Sequence, residues 1–340
     1  MKRLAVLDAQ SAPCRFLETF QSMCVDAGVE PVALECRSAE EIAAGADGCA
    51  AAICFFVNVG KEALRHLSGL EMVVRAGIGV DNFVLDDFTE HGVLACNTPD
   101  YGIEEVAVHA LALLLALERN LVNFGRSTRQ GDWDQTHGRE LHRVSHKTLG
   151  LIGFGRTARK LCELASPLGY RILVYDPHVT AEVCRKLSVR KVGLDELFFR
   201  ADAISVMAPA TPETEHIVNA DRLALSRDGL LLVNTSRGSL VSTEAVMEAL
   251  DSGKLHGVAL DVLEEEPPAA ACRKLLAHDA VIATPHIAYR SVESIQALIR
   301  MSVQTALDYL CLGKVNNLIN TAVLRTHGIN TESHGQGVMA

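Results

Sequence analysis

The sequence predicts an α/β protein in which one parallel-sheet unit is inserted into another. Strand-like apolar runs alternate with helical stretches along most of the 340 residues. A glycine-rich strand–turn–helix signature begins only at Thr148, after a separate alternating segment. An insertion explains this late start, because the chain would leave the outer unit after Gly102 and return to it near Val292. We therefore predict an outer unit of residues 1–102 and 290–340 and an inserted unit of residues 103–289.

The outer unit is predicted from a series of strand-like runs that could form a small parallel sheet. They are Leu4–Leu7, Val32–Leu34, Ala51–Val57, Met72–Ala76 and Val93–Cys96. After the inserted unit, we predict a long helix over about Val292–Leu312 and then an extended segment, "VNNLI". The Gly/Ser/Thr/His-rich tail from about Thr326 to Ala340 is predicted to be frayed.

The most apolar segment of the chain is "VAVHALALLLAL", Val106–Leu117. A membrane-spanning helix needs about 20 apolar residues, so this segment, which also carries His109, is too short. It predicts a buried helix. Because apolar residues lie on all of its sides, we expect a second subunit to cover part of it in a homodimer.

The inserted unit begins with a glycine pattern typical of dinucleotide-binding turns. An apolar run leads into "GFG" at 153–155, and helical spacing follows over Arg156–Ala165. Gly153 would permit the tight turn, and Gly155 would let the backbone approach a pyrophosphate. The amides of Arg156 and Thr157, at the helix N-terminus, would bind that anion.

Two further positions bear on this pattern. Asp176 ends the next apolar run, about 20 residues beyond the glycines, where an acid hydrogen-bonds the adenosine ribose. It would repel a 2′-phosphate, and no Arg or Lys stands at 177–179 to bind one, so NAD is favoured over NADP. Ala158 replaces the usual third glycine. It adds only one methyl group where the helix packs against the strand.

The strand–helix alternation continues to the end of the inserted unit. Strands are predicted near Ile204–Met207, Leu230–Asn234, Val258–Val262 and Val281–Ala283, and a helix at Ser242–Asp251.

Composition excludes several classes of function. The formal charge of −10, without a basic stripe, argues against nucleic acid and anionic membranes as partners. Ten cysteines without a CxxC pair and an N-terminus without a signal-peptide pattern favour reduced thiols in the cytoplasm. Thirteen histidines form no metal-binding motif, so no metal is predicted.

Three further stretches, taken with the glycine pattern, resemble one enzyme family. They are "RAGIGVDNF" (75–83), "VNTSRGSLV" (233–241), and "LDVLEEEPP" (260–268) followed by "TPHIAYRS" (284–291). In order and spacing they are similar to the D-isomer-specific 2-hydroxyacid dehydrogenases over roughly residues 1–320. The resemblance is greatest to the subgroup around the C-terminal-binding proteins, in which alanine is common at the third glycine position. It implies two Rossmann-like domains, with an NAD-binding domain inserted into a smaller, flavodoxin-like substrate domain.

The resemblance also implies a catalytic set whose chemistry follows from the residues. Reduction of a 2-oxo acid needs a cation for the substrate oxygens and a proton donor for the developing alkoxide. Arg237 would supply the first through its fork of donors, and His286 the second. Glu266 would orient the imidazole of His286 and favour its charged form.

Further site residues are implied by the same resemblance. Ala208, Thr235 and Asp261 would complete the NAD site. The substrate would be bound by Arg75, by the loop that contains Ile78 and Gly79, and by Tyr289. An aromatic wall, to which Phe55 and Phe56 could add, favours a substrate with an apolar or small uncharged side chain over one with a phosphate.

Two positions depart from the family pattern, and alternatives stay open. Met207 stands where the family often has histidine, and "AYR" (288–290) replaces a sequence that usually contains glycine. Both leave the identity of the 2-hydroxy acid open. The chain could instead be an NAD-responsive scaffold, or a phosphoglycerate dehydrogenase. Glu266 disfavours a formate dehydrogenase, in which glutamine usually pairs with the histidine.

Overall fold

The computed structural model describes residues 1–135 and 140–326. The part of the predicted frayed tail that follows Thr326 lies outside the described residues. Two compact units are present. Of the described residues, the first unit contains 1–102 and 291–326, and the second contains 103–135 and 140–290. Each is built on a parallel sheet with helices on both faces, which confirms the predicted α/β class.

The strands, in chain order, are β1 (Arg3–Val6), β2 (Glu30–Ala33), β3 (Ala51–Cys54), β4 (Met72–Arg75), β5 (Leu94–Cys96), β6 (Thr148–Ile152), β7 (Arg171–Tyr175), β8 (Arg190–Lys191), β9 (Ala203–Val206), β10 (Leu230–Asn234), β11 (Leu255–Leu260) and β12 (Val281–Ala283). The helices are α1 (Phe16–Asp26), α2 (Ala39–Gly45), α3 (Lys61–Leu64), α4 (Leu85–Glu90), α5 (Ile103–Glu118), α6 (Leu121–Arg129), α7 (Arg156–Ala165), α8 (Ala181–Lys186), α9 (Leu194–Arg200), α10 (Ala220–Leu225), α11 (Thr243–Asp251), α12 (Ala270–Leu276), α13 (Val292–Leu312) and α14 (Ala322–Thr326). None of these described helices combines the length and the apolar character needed to cross a membrane.

The first unit contains a sheet of five parallel strands in the order β2-β1-β3-β4-β5. Alternate residues of β1 enter two different cores. Leu4 and Val6 pack with α1 and α13, whereas Ala5 lies on the side of α2, α3 and α4. Because both faces are covered, the strands are continuous apolar runs in the sequence.

The third predicted run of this unit, Ala51–Val57, is shorter as a strand than expected. β3 ends at Cys54 because the carboxylate of Asp8 accepts hydrogen bonds from the amides of Phe55, Phe56 and Val57, at 2.7 to 3.0 Å. The backbone after Cys54 is therefore held by a side chain instead of a neighbouring strand.

The second unit contains seven parallel strands in the order β12-β11-β10-β9-β6-β7-β8. One core lies between the sheet and α9 to α12, and the other lies between the sheet and α5, α7 and α8. β6 occupies the point where strand order reverses, since β7 and β8 lie on one side of it and β9 to β12 on the other. Ligands of open α/β sheets bind beyond the carboxyl ends of the strands at such a point.

Helix α5 is buried on one face only within its own unit. Ala107, Ala110 and Leu114 are buried against the sheet and α7. On the opposite face, Val108 is 47% exposed and Ala112 is also exposed. An apolar stripe of this predicted interface helix therefore stays uncovered in the single unit.

Candidate active site

The site residues predicted in the second unit follow the carboxyl ends of its strands. Gly153 and Gly155 follow β6, Asp176 follows β7, Ala208 follows β9, Thr235 and Arg237 follow β10, Asp261 follows β11, and His286 follows β12. Because the strands are parallel, these residues share one edge of the sheet, at the point where strand order reverses.

Gly153 is required by two features of the turn after β6. Its φ is +92°, in the region that favours glycine. A Cβ atom there would also lie 2.8 Å from the backbone of Met207 and Ala208, much closer than van der Waals contact. Ala208, predicted to contact the cofactor, is thus packed against the glycine turn.

The rest of the turn presents a helix N-terminus next to an acid. Gly155 is the N-cap of α7, whose first residues are Arg156 and Thr157, and a Cβ atom at Gly155 would meet open space. Asp176 accepts hydrogen bonds from the amides of Phe154 and His178, both at 2.8 Å, so its carboxylate is fixed beside the turn. These features fit a dinucleotide: amides for its pyrophosphate and a carboxylate for its ribose.

Ala158, at the position of the third glycine, fits the packing of α7. It is 1% exposed and belongs to the core between α5, α7 and the sheet. Its methyl group is therefore accommodated in the interface between helix and strand, as expected from the sequence.

Arg237 lies in a turn held by the fully buried side chain of Asn234. The Asn234 amide group donates to the carbonyl of Arg237 at 2.8 Å, and its oxygen accepts from the amide of Ser236 at 3.0 Å. Arg237 in turn donates to the carbonyl of Ser236 at 2.8 Å. Thr235, predicted to bind the cofactor, is buried in the same turn, with its hydroxyl 4.0 Å from the Met207 sulfur.

Gly238 brings this turn against the loop that follows β11. A Cβ atom on Gly238 would overlap the backbone of Leu263 and Glu264. Only glycine permits this approach, which places the Arg237 turn beside the loop that carries Glu266.

Glu266 and His286 form a direct pair. His286 Nδ1 lies 2.7 Å from Glu266 Oε2, and the amide of Leu263 donates to Glu266 Oε1 at 2.9 Å. Burial alone would raise the pKa of Glu266, but these hydrogen bonds and the charges of His286 and Arg237 together lower it below its ordinary value. An ionised Glu266 accepts the Nδ1 proton, which leaves Nε2 as the ring nitrogen that can exchange a proton with a ligand.

The backbone at His286 adopts an uncommon conformation. Its φ is +52°, in the left-handed region that side chains other than glycine and asparagine rarely occupy. The amide of His286 donates to the carbonyl of Asp261 at 2.8 Å. Strained backbone of this kind clusters at functional sites, where the surrounding structure holds it in place.

Asp261, predicted as a cofactor residue, has a buried carboxylate that holds the loop of His286. It accepts hydrogen bonds from the Thr284 hydroxyl at 2.5 Å and from the amides of Ile287 and Ala288 at 2.9 and 2.8 Å. Its contact with the cofactor stays a prediction. The ring of Tyr289, in the same loop, meets the His286 ring edge-on, with 6.4 Å between centroids.

The predicted substrate residues of the first unit lie after β3 and β4. The guanidinium of Arg75 lies over the ring of Phe56, 5.3 Å from its centroid, and donates to the carbonyl of Ala76. The amide of Gly77 donates to the carbonyl of Arg75, so Ile78 and Gly79 supply the candidate amides for a substrate carboxylate. Ile78 is 39% exposed.

The two adjacent phenylalanines have different environments. Phe55, expected as a pocket wall, is 3% exposed and packs edge-on against Phe16, with 4.9 Å between centroids. That expectation is wrong for Phe55, because Asp8 holds the backbone after β3 in a conformation that directs its ring into the core. Phe56 is 59% exposed and remains available to a ligand.

Several supporting residues escaped the sequence argument. His109 lies 3.0 Å from the Thr284 hydroxyl, and Glu264 accepts hydrogen bonds from His216 at 2.6 Å and from the amide of Thr243 at 2.7 Å. Of the supporting residues, Asp8 had a local signal, since it is an acid that directly follows the apolar run Leu4–Leu7. Within the two described ranges, no group of histidine, cysteine or carboxylate side chains could hold a metal ion.

Comparison with known proteins agrees with this geometry. Residues 111–288 match the model of the NAD-binding domain of D-isomer-specific 2-hydroxyacid dehydrogenases. The chain is 40% identical over 240 residues to a hydroxypyruvate reductase of Thermotoga maritima, which covers 70% of this chain and 76% of that protein. It is 38% identical over 232 residues to a D-3-phosphoglycerate dehydrogenase of Methanocaldococcus jannaschii, covering 67% of this chain and 43% of that protein.

Solved structures show the same fold. A D-lactate dehydrogenase of Aquifex aeolicus, complexed with NAD and lactic acid, superposes with a TM-score of 0.81 at 27% identity, covering 91% of this chain and 95% of that one. The chain spans about half the length of the phosphoglycerate dehydrogenases it matches, 43% for one and 45% for another from Bacillus subtilis. The matched residues, 111–288, include the glycine turn and the edge of the sheet where Arg237, Glu266 and His286 lie. The chain therefore belongs to the family of D-isomer-specific 2-hydroxyacid dehydrogenases.

Proposed function

We propose that this protein is an NAD-dependent D-2-hydroxyacid dehydrogenase that interconverts a small 2-oxo acid and the corresponding 2-hydroxy acid. The observation that carries the proposal is the 2.7 Å contact between His286 Nδ1 and Glu266 Oε2. Glu266 belongs to the loop after β11, and Gly238 allows the turn of Arg237 to pack against that loop. When bound, NAD(H) accepts or supplies the hydride.

The protein side chains supply the other parts of the reaction. In reduction, His286 Nε2 donates a proton to the carbonyl oxygen, and Glu266 holds the ring and balances its positive charge. Arg237 binds the carboxylate and carbonyl oxygens with its fork of donors. In oxidation the same imidazole accepts the hydroxyl proton.

The substrate class follows from the predicted pocket residues. Arg75 and the amides of Ile78 and Gly79 bind the carboxylate, and Tyr289 lines the side-chain pocket beside His286. Phe56 adds an exposed aromatic surface beneath Arg75. We therefore propose that an apolar or small uncharged side chain is preferred over a phosphorylated one.

A panel of 2-oxo acids tests the activity and the preference together. Initial rates are measured with NADH and NADPH against glyoxylate, hydroxypyruvate, pyruvate, phenylpyruvate and 3-phosphohydroxypyruvate. We expect turnover with NADH, and loss of about 100-fold or more of kcat in His286→Ala with NADH binding retained. Binding of NADH without turnover of any acid would instead favour the NAD-responsive scaffold, the role suggested by the predicted resemblance to the C-terminal-binding proteins. The highest kcat/KM for 3-phosphohydroxypyruvate would overturn the preference and favour a phosphoglycerate dehydrogenase.

Two substitutions separate carboxylate binding from side-chain recognition. Arg75→Ala should raise KM for every acid in the panel, because all share the carboxylate, and Arg75→Lys should restore only part of the loss. Tyr289→Ala should change the ranking among side chains, whereas Tyr289→Phe should keep it. Unchanged KM values in Arg75→Ala would remove this residue from the pocket.

The exposed stripe of α5 supports a homodimer. Val108 and Ala112 are uncovered on this helix, and Leu121 and Val122, at the start of α6, are 57% and 40% exposed. Apolar surface of this kind is typical of subunit interfaces. Light scattering at micromolar concentration should give a dimer for the wild type and a monomer, or a weaker dimer, for Val108→Glu. A monomeric wild type would contradict the proposal.

A cytoplasmic location is also part of the proposal. All ten cysteines are unpaired, and eight of them are buried. Buried free thiols are typical of proteins in a reducing compartment. Cell fractionation should recover the protein with cytoplasmic markers, and its recovery from an oxidising compartment would contradict this location.

A further inference from the structure

We propose that His109, on α5, is a positioning residue for the proton donor, and that it acts through the Thr284 hydroxyl and the Asp261 carboxylate. This inference rests on the proposed function, in which His286 donates the proton. It concerns the contacts of His109 with Thr284 and of Thr284 with Asp261, which connect helix α5 to the loop of His286.

Asp261 accepts hydrogen bonds from residues on both sides of His286 in its loop. Its Oδ1 accepts from the Thr284 hydroxyl and the Ile287 amide, and its Oδ2 accepts from the Ala288 amide. The carbonyl of Asp261 accepts from the His286 amide as well. Four donors within the segment 284–288 therefore converge on one residue.

The loop needs this support because the conformation of His286 is unfavourable. A left-handed backbone is unfavourable at a residue other than glycine, and it persists only where the surrounding structure determines it. Here φ is +52° at the histidine whose ring bonds Glu266. A relaxed loop would carry the ring away from that partner.

The direction of the hydrogen bonds identifies what His109 contributes. Thr284 has a single hydroxyl proton, and the 2.5 Å distance assigns it to Asp261 Oδ1. The Thr284 oxygen must then accept from His109 Nε2, 3.0 Å away, so His109 carries its proton on Nε2. This nitrogen is also 3.6 Å from Asp261 Oδ1, and the Asp261 side chain is only 1% exposed.

A buried carboxylate needs the donors that surround it. Loss of His109 would remove the donor to Thr284 and a polar hydrogen near Asp261, in a place that excludes water from the carboxylate. Helix α5 packs on β10 and β11, so its backbone is a rigid support for the contact. The catalytic loop is thus anchored to this helix as well as to β11 and β12.

Kinetics of four variants test the role. His109→Leu and Thr284→Val should each lower kcat by about 10- to 100-fold, since small displacements of a catalytic group have effects of this order. Neither single variant should change KM for NADH by more than about twofold, because neither removes a contact that binds the cofactor. His109→Gln, which keeps an N–H donor, and Thr284→Ser, which keeps the hydroxyl, should recover most of the activity.

The double variant and a surface control complete the kinetic test. His109→Leu with Thr284→Val should be no slower than the slower single variant, because both changes break the same chain of bonds. His142→Leu, at an exposed histidine, should behave as the wild type. Wild-type kcat in His109→Leu, or full additivity in the double variant, would overturn the proposal.

Hydrogen exchange separates this inference from the proposed function, because it needs neither substrate nor turnover. In His109→Leu, the amides of His286, Ile287 and Ala288 should exchange about 10-fold faster or more, while those of β10 keep the wild-type rate. Unchanged amide exchange rates at residues 286–288 in His109→Leu would contradict the positioning role, even if the enzyme is active. Faster exchange in a protein without activity on any 2-oxo acid would support the anchor and reject the proposed function.

Discussion

Glu266 is the residue whose charge controls the proposed proton donor. It lies among donors that stabilise its ionised form, and its pKa is lowered although burial opposes this. The ionised carboxylate lies 2.7 Å from Nδ1 of His286, so it is the acceptor that holds the ring of the proposed proton donor.

Glu266→Gln tests this electrostatic role. Without the charge, the Nδ1 proton of His286 has only a neutral acceptor and the titration of Glu266 is absent, so the rate of reduction should fall and its pH profile should change. The measurement is kcat/KM for the best 2-oxo acid from pH 5 to about pH 9. Glu265→Gln removes the same charge from the exposed neighbouring residue and should leave the profile in place. An unshifted profile in Glu266→Gln would contradict the role.

Asp176 is the residue expected to select the cofactor. Its two oxygens hold the amides of Phe154 and His178, which fix the carboxylate beside the glycine turn. Asp176→Ser should weaken NADH binding. The ratio of kcat/KM with NADH to kcat/KM with NADPH should fall by about tenfold or more. Asp176→Asn keeps an acceptor for the Phe154 amide but removes the charge, so it should also lower the ratio of kcat/KM with NADH to kcat/KM with NADPH. Asp195→Ser is the surface control, and an unchanged ratio in both Asp176 variants would refute the assignment.

At the scale of elements, the site depends on loops that meet after parallel strands. Glu264 joins three of them, since it accepts from His216 in the segment after β9 and from the amide of Thr243 at the start of α11. Gly238 then lets the turn after β10 touch the loop after β11. The positions of Arg237 and Glu266 are thereby set relative to each other.

Gly238→Ala should disturb this contact. The new methyl group would overlap the Leu263 carbonyl, and a backbone carbonyl can move only if the loop moves. We expect a loss of about 1–3 kcal/mol in the free energy of unfolding, measured with urea, and a larger loss of kcat than of NADH binding. Gly69→Ala is the matched control, because its methyl group would meet open space at an exposed site. Wild-type stability and kcat in Gly238→Ala would show that the loop adapts.

At the scale of the whole molecule, acid stability should reflect the two loop carboxylates. The pKa of Glu264 is lowered like that of Glu266: burial raises it, and hydrogen bonds from Thr243 and His216 outweigh that effect. A carboxylate with a lowered folded-state pKa stabilises the fold above its unfolded-state pKa. That contribution is lost as the pH falls through the folded-state value.

The thermal midpoint should therefore fall as the pH decreases below about 4.5, the ordinary value for glutamate. Glu264→Gln should have a lower midpoint than the wild type at pH 7. The difference should shrink on acidification, because the wild type then loses the same interactions. A constant difference between pH 7 and about pH 3 would show that Glu264 acts through packing instead of charge.

The sequence by itself determined the features that depend on local spacing. Helices α7 and α13 have the predicted bounds, Arg156–Ala165 and Val292–Leu312, because apolar periodicity and capping residues act within a few turns. The glycine turn, with Asp176 at the end of the next strand, was predictable for the same reason. Motif order was enough to predict the family. The catalytic set of Arg237, Glu266 and His286 stays a prediction.

Only the tertiary structure decided which residues support that set. Asp8 bonds the amide of Phe55 47 positions away, and His109 reaches Thr284 across 175 positions. Nothing in the periodicity of either segment indicates such a partner. The direction of Phe55 into the core and of Phe56 towards solvent was also decided in this way, because Asp8 ends β3 and fixes the backbone that orients both rings. Contacts between segments far apart in the chain depend on how strands and helices pack, and that packing is cooperative over the whole core.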